Sequence, residues 1–314
     1  MGPVIRILAG RLVQAVVVAI VVGIATFLLT ETLPGDQAYR IAAGRYGDDL
    51  VSTTAAQAVR QELGLDRPSW QRLGIWFADL ARLDLGVSLV TGETVVDEIA
   101  HQLGYTVGLS FAALGLSVLV GPPLGAVLAL RAGSGLDTAG LMGAAALRAM
   151  PAFVIGLGLM LLLAVRLSWL PAAGYDEPAA WLLPSLTLAL GLAAVSSRVT
   201  RDATWNTLRS SHVAFARTKG LTDGQVFRRH ILRNAAAPVV TYLGVQLVYL
   251  VEGVVVVEAL FAWPGIGHAL VHAVVARDIP VLQGAALVMG LMFVLLNALV
   301  DVICLAIDPR EARR

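Results

Sequence analysis

The feature that most constrains this chain is an arginine-rich island set between two apolar runs, each long enough to cross a bilayer. The island extends from Arg198 to Asn234 and reads RVTRDATWNTLRSSHVAFARTKGLTDGQVFRRHILRN. It carries Arg198, Arg201, Arg209, Arg217, Lys219, Arg228, Arg229 and Arg233 against only Asp202 and Asp223. A basic loop of this size between spans belongs on the cytoplasmic side of a membrane.

Composition supports a polytopic membrane protein. The chain is 57% hydrophobic and 14% charged, where soluble domains carry about 25% charged residues. Net charge is +1, so no global bias toward nucleic acid exists. Lys219 is the only lysine and Cys304 the only cysteine. An internal disulfide and a cysteine metal or redox framework are therefore excluded.

Apolar runs cover roughly 8–30, 103–130, 138–165, 181–200, 236–258 and 284–306. The third is interrupted at Pro151 and the fourth contains Pro184, which membrane helices tolerate when neighbours satisfy the freed carbonyls. The first run is too long for a signal-peptide core and lacks a small-residue cleavage site, so it is expected to be retained. Small residues recur, as in GLSFAALGLSVLVGPPLGAVLAL, and allow helix backbones to approach closely. With these runs as six spans, Arg6, Arg11, Arg131, the island, Arg310, Arg313 and Arg314 fall on one side. Both termini are expected to be cytoplasmic.

The expected organisation is a first helix over 1–30, an external cap over 31–102, and a membrane core over 103–314. The cap segments TTAAQAVRQELGL and PSWQRLGIWFADLARL have helical apolar spacing. VVDEIAHQLG reads as an amphipathic helix at the interface before the second span.

The island itself divides at Gly220. Ser210 or Ser211 can cap a helix through HVAFARTK, and Gly220 suits the left-handed position that ends one. Thr222 followed three residues later by Gln225 matches a capping box. A second helix, DGQVFRRHILRNAAA, then runs toward Pro238. The result is a knuckle of two short helices offering Val213, Phe215, Leu221, Val226, Phe227 and Ile231 for apolar contact.

The stretch FARTKGLTDGQVFRRHILRNAAAPVVT resembles the cytoplasmic coupling loop of ABC importer permeases of the dipeptide/oligopeptide/nickel group. TFLLTETLPGDQA, LGLDRPSWQRLGIWFADLARLDLGVSL, VEALFAWPGIGHALVHAVVARDIPVLQG and NALVDVICLAIDPR agree in the family's order. The resemblance implies an all-α, six-transmembrane-helix type I ABC importer permease fold with an external cap between helices 1 and 2. It implies a multi-pass protein of the bacterial cytoplasmic (inner) membrane that forms half of a pathway for short peptides. Its partners would be membrane lipid, a second related permease, two cytoplasmic ABC ATPase subunits holding ATP and Mg, and an external solute-binding protein. The coupling loop would be residues 201–235, with Ala214, Phe215, Ala216, Lys219, Gly220, Leu221, Arg228 and Arg229 at the contact. Ala214 and Phe215 depart from the general coupling motif, whose first position is acidic. Glu258, Pro264, Gly265 and Gly267 match the motif after the fifth span, and Asp308, Pro309 and Arg310 the closing motif. Nickel, a metal chelate or glutathione are alternative solutes. A stand-alone channel or secondary transporter would need inverted repeats or paired broken helices, which the sequence lacks.

Other groups carry less. No GxxxxGK[ST] phosphate loop exists, so the chain is expected to be non-catalytic, with no cofactor of its own. His268 and His272 at i, i+4 can share a face toward a metal or be plain interface residues. No third ligand lies near, and no metal is expected. Glu252 sits deep in the fifth span and must face a helix interface or a wet path. It either lines the pathway with Glu258 and senses cationic solutes, or pairs with an arginine or serine of a neighbouring helix. Asn297 and Asp301 read as helix–helix contacts, and Arg148 is expected to snorkel to the interface.

Overall fold

The computed structural model describes residues 3–32, 35–47, 51–63 and 66–307. Helices follow in the order α1 Pro3–Thr32, α2 Gln37–Tyr46, α3 Thr53–Glu62, α4 Ser69–Leu80, α5 Val95–Leu130, α6 Gly135–Ala149 and α7 Ala152–Leu159. Then come α8 Leu182–Leu208, α9 Ser211–Thr218, α10 Asp223–Val226, α11 Leu232–Leu260, α12 Ile266–Ala276 and α13 Ile279–Ile307. Widened π turns extend α7 through Met160–Arg166 and join α10 to α11 through Phe227–Ile231.

Each of the six apolar runs falls in a helix or a broken pair. Four helices are long and apolar enough to cross a membrane, and the pair Gly135–Ala149 with Ala152–Arg166, bent by 104°, makes a fifth. The bend has a local cause. Met150 precedes a proline and is extended (φ −84°, ψ 132°), because the proline ring disfavours the helical region one residue upstream. The run expected at 236–258 lies in α11, 29 residues long and sufficient to span. The side chains of Glu252 and Cys304 lie outside the described residues, as do Gly64 and the closing residues Asp308, Pro309 and Arg310.

One expectation is corrected. VVDEIAHQLG forms no separate interfacial helix; it is the start of the 36-residue α5. Gly104 costs about 1 kcal/mol mid-helix but breaks no hydrogen bond. Val95 and Ile99 hold the early turns by burying against Ile266, Val281 and Leu282. Contacts separate one unit, Met1–Thr106 with Pro264–Leu295, from another, Val107–Trp263 with Leu296–Arg314. The segment after the fifth span thus packs with the cap.

In the first unit, α2 and α3 form a hairpin around Ile41, Ala42 and Val59, each essentially inaccessible. A fully buried Ile or Val contributes about 1.5–3 kcal/mol. Asp36 and Ser52 cap the two helices through Ala38 N (3.0 Å) and Ala55 N (3.1 Å). Arg45 bonds both Leu89 O (2.5 Å) and Glu62 (2.9 Å); that carboxylate holds its guanidinium still more firmly protonated. Arg72 of α4 pairs with Glu31 at the end of α1. Trp76 lies so close to Gly23 that a Cβ there would sit 2.3 Å from its ring.

Two residues between α12 and α13 bind the unit together. Buried Asp278 accepts from Ser88 Oγ, Leu89 N (3.1 Å) and Val90 N (3.3 Å). Arg277, left-handed at φ 56°, donates to Gly35 O (2.7 Å).

The second unit packs α8 against α11 around Leu109, Leu183, Leu250, Val254, Val257 and Phe261. Its helices approach through small residues. A Cβ on Gly121 would lie 2.0 Å from Ser196 Oγ, and one on Gly125 2.1 Å from Ser197 O. Gly108 and Gly115, in the same small-residue run, have open space around them. Asp137 of α6 is buried, and its carboxylate takes both Nε (3.0 Å) and Nη2 (2.6 Å) of Arg201 on α8 and the N–H of Gly133 (2.9 Å).

Candidate functional site

The basic island folds within the second unit as α9, a corner, α10 and the π turn into α11. Gly220 forms the corner with φ +79°. Its N–H bonds Arg217 O (3.0 Å) and the next N–H, of Leu221, reaches Ala216 O (3.4 Å). This paired pattern closes a helix with a glycine just past its end, and Leu221 adds the customary apolar contact back onto the helix. On the far side Thr222 and Gln225 form the reciprocal capping box, with Thr222 N to Oε1 at 3.1 Å and Gln225 N to Oγ1 at 3.4 Å. Ser210 differs from expectation. It takes the capping backbone conformation, but its hydroxyl donates back to Thr207 O and caps nothing.

The knuckle has a core of its own. Val213, Ala216, Val226 and Ile231 are buried together, flanked by Leu208, Leu221 and Phe227. Most of the apolar set that the sequence offered for contact is therefore consumed internally, because two helices this short must bury their facing sides to hold a corner. Ala216, expected at a contact, lies in that core. Phe215 remains outward at 60% exposure, with Lys219 Nζ 4.6 Å from its ring centre. Ala214, Lys219, Gly220, Arg228 and Arg229 are exposed as well. Arg217 bridges the corner to Asp223 at 3.3 Å. Asn234 Nδ2 approaches His212 Nε2 (3.3 Å), linking the start of α11 to α9. The knuckle presents a basic surface on which Phe215 is exposed.

The expected path and loop residues lie elsewhere. Glu252 is on α11, its side chain outside the described residues. Glu258 is fully buried in the second unit and lines no open surface in this conformation. The chain reverses just after it, with Ala262 left-handed (φ 48°) and Trp263 N returning to Glu258 O at 2.9 Å. In the first unit, Pro264 is half-buried and Gly265 and Gly267 are buried at the start of α12. No side chain of α12 caps that start; Thr106 Oγ1 accepts from Ile266 N at 2.9 Å instead.

His268 and His272 do meet, Nε2 to Nε2 at 3.1 Å. Burial, and then the neighbouring His272, lower the pKa of His268 below 6.5. No cluster of three metal-binding side chains exists among the described residues.

Sequence reasoning missed three groups. Arg277 and Asp278 stand in the RDIP stretch, whose adjacent charges beside an apolar helix were the available signal. The Asp137–Arg201 pair, 64 residues apart in sequence, gave none.

Residues 121–313 match the family described as binding-protein-dependent transport system inner membrane component, and residues 4–110 match its N-terminal domain. The chain belongs to this family of membrane transport components. The permease is 38% identical over 299 residues to the glutathione transport system permease protein GsiC of Pectobacterium atrosepticum, covering 95% of this chain and 96% of that one. It is 38% identical over 309 residues to a putative peptide transport system permease protein of Brucella abortus, covering 96% of each. Among solved structures, it is similar to an amino acid ABC transporter solved with histidines (TM-score 0.55, 16% identity, 67% of this chain and 94% of that chain). It is also similar to the MetNI methionine ABC transporter in inward-facing conformations (TM-score 0.52, 20% identity, 67% and 95%). At these identities the structural matches establish a shared fold, that of ABC importer permeases.

Proposed function

We propose that the permease forms half of an ATP-driven import pathway for short peptides and that the knuckle around Gly220 receives the stroke from a cytoplasmic ATPase. The observation that carries this reading is the knuckle itself. Its punctuation is complete on both sides of the corner, its apolar side chains are spent on its own core, and its outward face is basic with Phe215 and Lys219 foremost. A rigid projection joined without a break to a spanning helix can transmit a push from a partner into the membrane. The peptide assignment draws on the names of the relatives. Glutathione, itself a short peptide, is the second reading and is favoured by the GsiC relatives.

In this reading both termini and Gly220 lie in the cytoplasm, and the α2–α4 cap faces outward toward a solute-binding protein. A second related permease completes the pathway, and two ATPase subunits hold ATP and Mg. The reading is tested at Gly220. A Cβ there meets nothing within 4 Å, so Gly220→Val strains the left-handed corner, by about 1–2 kcal/mol, without a clash. The expected outcome is an assembled complex that has lost solute-stimulated ATP turnover. Full transport by the variant overturns the coupling role. Cysteine labelling of position 220 from outside intact cells, on a Cys304→Ala background, overturns the orientation.

A further inference from the structure

The second unit carries a half-open pocket with a cavity volume of about 340 Å³, within the range of small-molecule sites. Its walls come from the junction of α6 and α7, from α8 between Thr187 and Val195, and from α11 between Tyr242 and Gly253. These stretches of α8 and α11 lie well inside both helices, so the cavity sits within the membrane's depth rather than at its surface. Most of the lining is apolar. Two polar groups break it.

Arg148, in the last turn of α6, lines the cavity. Its exposed side chain stands at the pocket beside the mid-helix stretches of α8 and α11, with no carboxylate partner among the described residues. An arginine at that depth demands an anion or water. Gln246, only 3% exposed, lines the same cavity. Its Nε2 donates to Leu192 O at 3.0 Å, which fixes the amide's orientation, while its buried Oε1 accepts from nothing. The cavity thus combines a free guanidinium, which donates in a planar fork, with an unsatisfied acceptor.

We infer that this cavity is a station for the carboxylate-bearing end of the transported peptide. The last residue of a peptide presents an anion and an N–H two bonds apart. Arg148 pairs with the carboxylate, Gln246 Oε1 accepts from the N–H, and the apolar walls take the side chain. The inference rests on the peptide-import reading and adds to it the end of the solute that the permease itself recognises. A lipid phosphate could satisfy the guanidinium, but it would bring no N–H to Gln246.

The test uses the assembled complex in proteoliposomes with its binding protein. Uptake of a free-acid peptide and of its C-terminal amide is measured, each normalised to the loaded fraction of binding protein and to assembled complex. Arg148→Gln should lower free-acid uptake by roughly tenfold or more, leave amide uptake near its wild-type value, and be partly rescued by Arg148→Lys. Gln246→Leu should lower free-acid uptake less, and should abolish the difference between that peptide and one N-methylated at its last amide. Both effects should be the same in vesicles with and without anionic lipid. Equal free-acid uptake by wild type and Arg148→Gln overturns the inference and leaves the importer reading standing. So does an equal loss for acid and amide, which would make Arg148 a structural residue, or a loss confined to anionic-lipid vesicles, which would assign it to a lipid. Failure of the wild-type complex to take up any peptide overturns the peptide reading and this inference with it.

Discussion

The two units of the permease both use close approaches at glycine, at Gly23 and Gly290 in one and at Gly121 and Gly125 in the other, but they differ in their polar clamps. The cap unit is tied by charged and polar clamps: Asp278 on the Ser88–Val90 turn, Arg277 on Gly35, Arg72 on Glu31 and Arg45 on Glu62. The second unit relies on glycine-permitted backbone approach, at Gly121 and Gly125 against α8, and on an apolar core. The contrast follows from the solvent. Where water competes, apolar burial drives the hairpin of α2 and α3 together, and ion pairs with exposed partners, such as Arg45–Glu62, lie at its edge. Between spanning helices, lipid removes the hydrophobic gain, and close packing has to supply the attraction. The Asp137–Arg201 pair is the exception in the second unit, and it lies near the end of α8 that leads into the basic knuckle.

Three experiments break or sharpen this contrast. The largest effect is expected from Gly125→Leu. A side chain there drives into the backbone of Ser197, and overpacking of this kind costs about 3 kcal/mol or more. Loss of assembled complex in detergent is the expected outcome; a well-assembled variant would show that the second unit does not depend on close approach. Asp278→Ala should come next, at about 2–3 kcal/mol, because three donors lose a charged acceptor in a buried place. Limited proteolysis should then cut the 84–94 turn while the second unit stays protected. Cleavage throughout the chain would mean that the clamps serve both units.

The smallest effect is a pH dependence of the cap unit. His268 has its pKa lowered, first by burial and then by His272. The unfolded chain therefore takes up the proton more readily, so the stabilising state is present above about pH 6.5 and is lost as pH falls through the lower folded value. Thermal melting should be earlier at about pH 5.5 than at about pH 7.5, and His268→Gln should narrow the gap. An unchanged gap would remove the histidine pair as its cause.

The knuckle was legible because its determinants are local. A left-handed glycine, a Thr-x-x-Gln box and the extended residue before Pro151 each act over at most a few residues, so the sequence by itself determined them, along with the apolar runs. The same reasoning misjudged the helix at 95–130, since nothing in VVDEIAHQLG marks whether a helix ends or continues; Val95 and Ile99 decide that by where they pack. It left open what the knuckle's apolar residues touch; Val213, Val226 and Ile231 close on one another. Only the tertiary structure could bring Asp278 to Ser88 across 190 residues, Arg201 to Asp137, and Arg148 into a cavity with Gln246. Hydrogen bonds and ion pairs of that kind depend on distances of a few ångströms between elements far apart in sequence, and packing alone sets those distances.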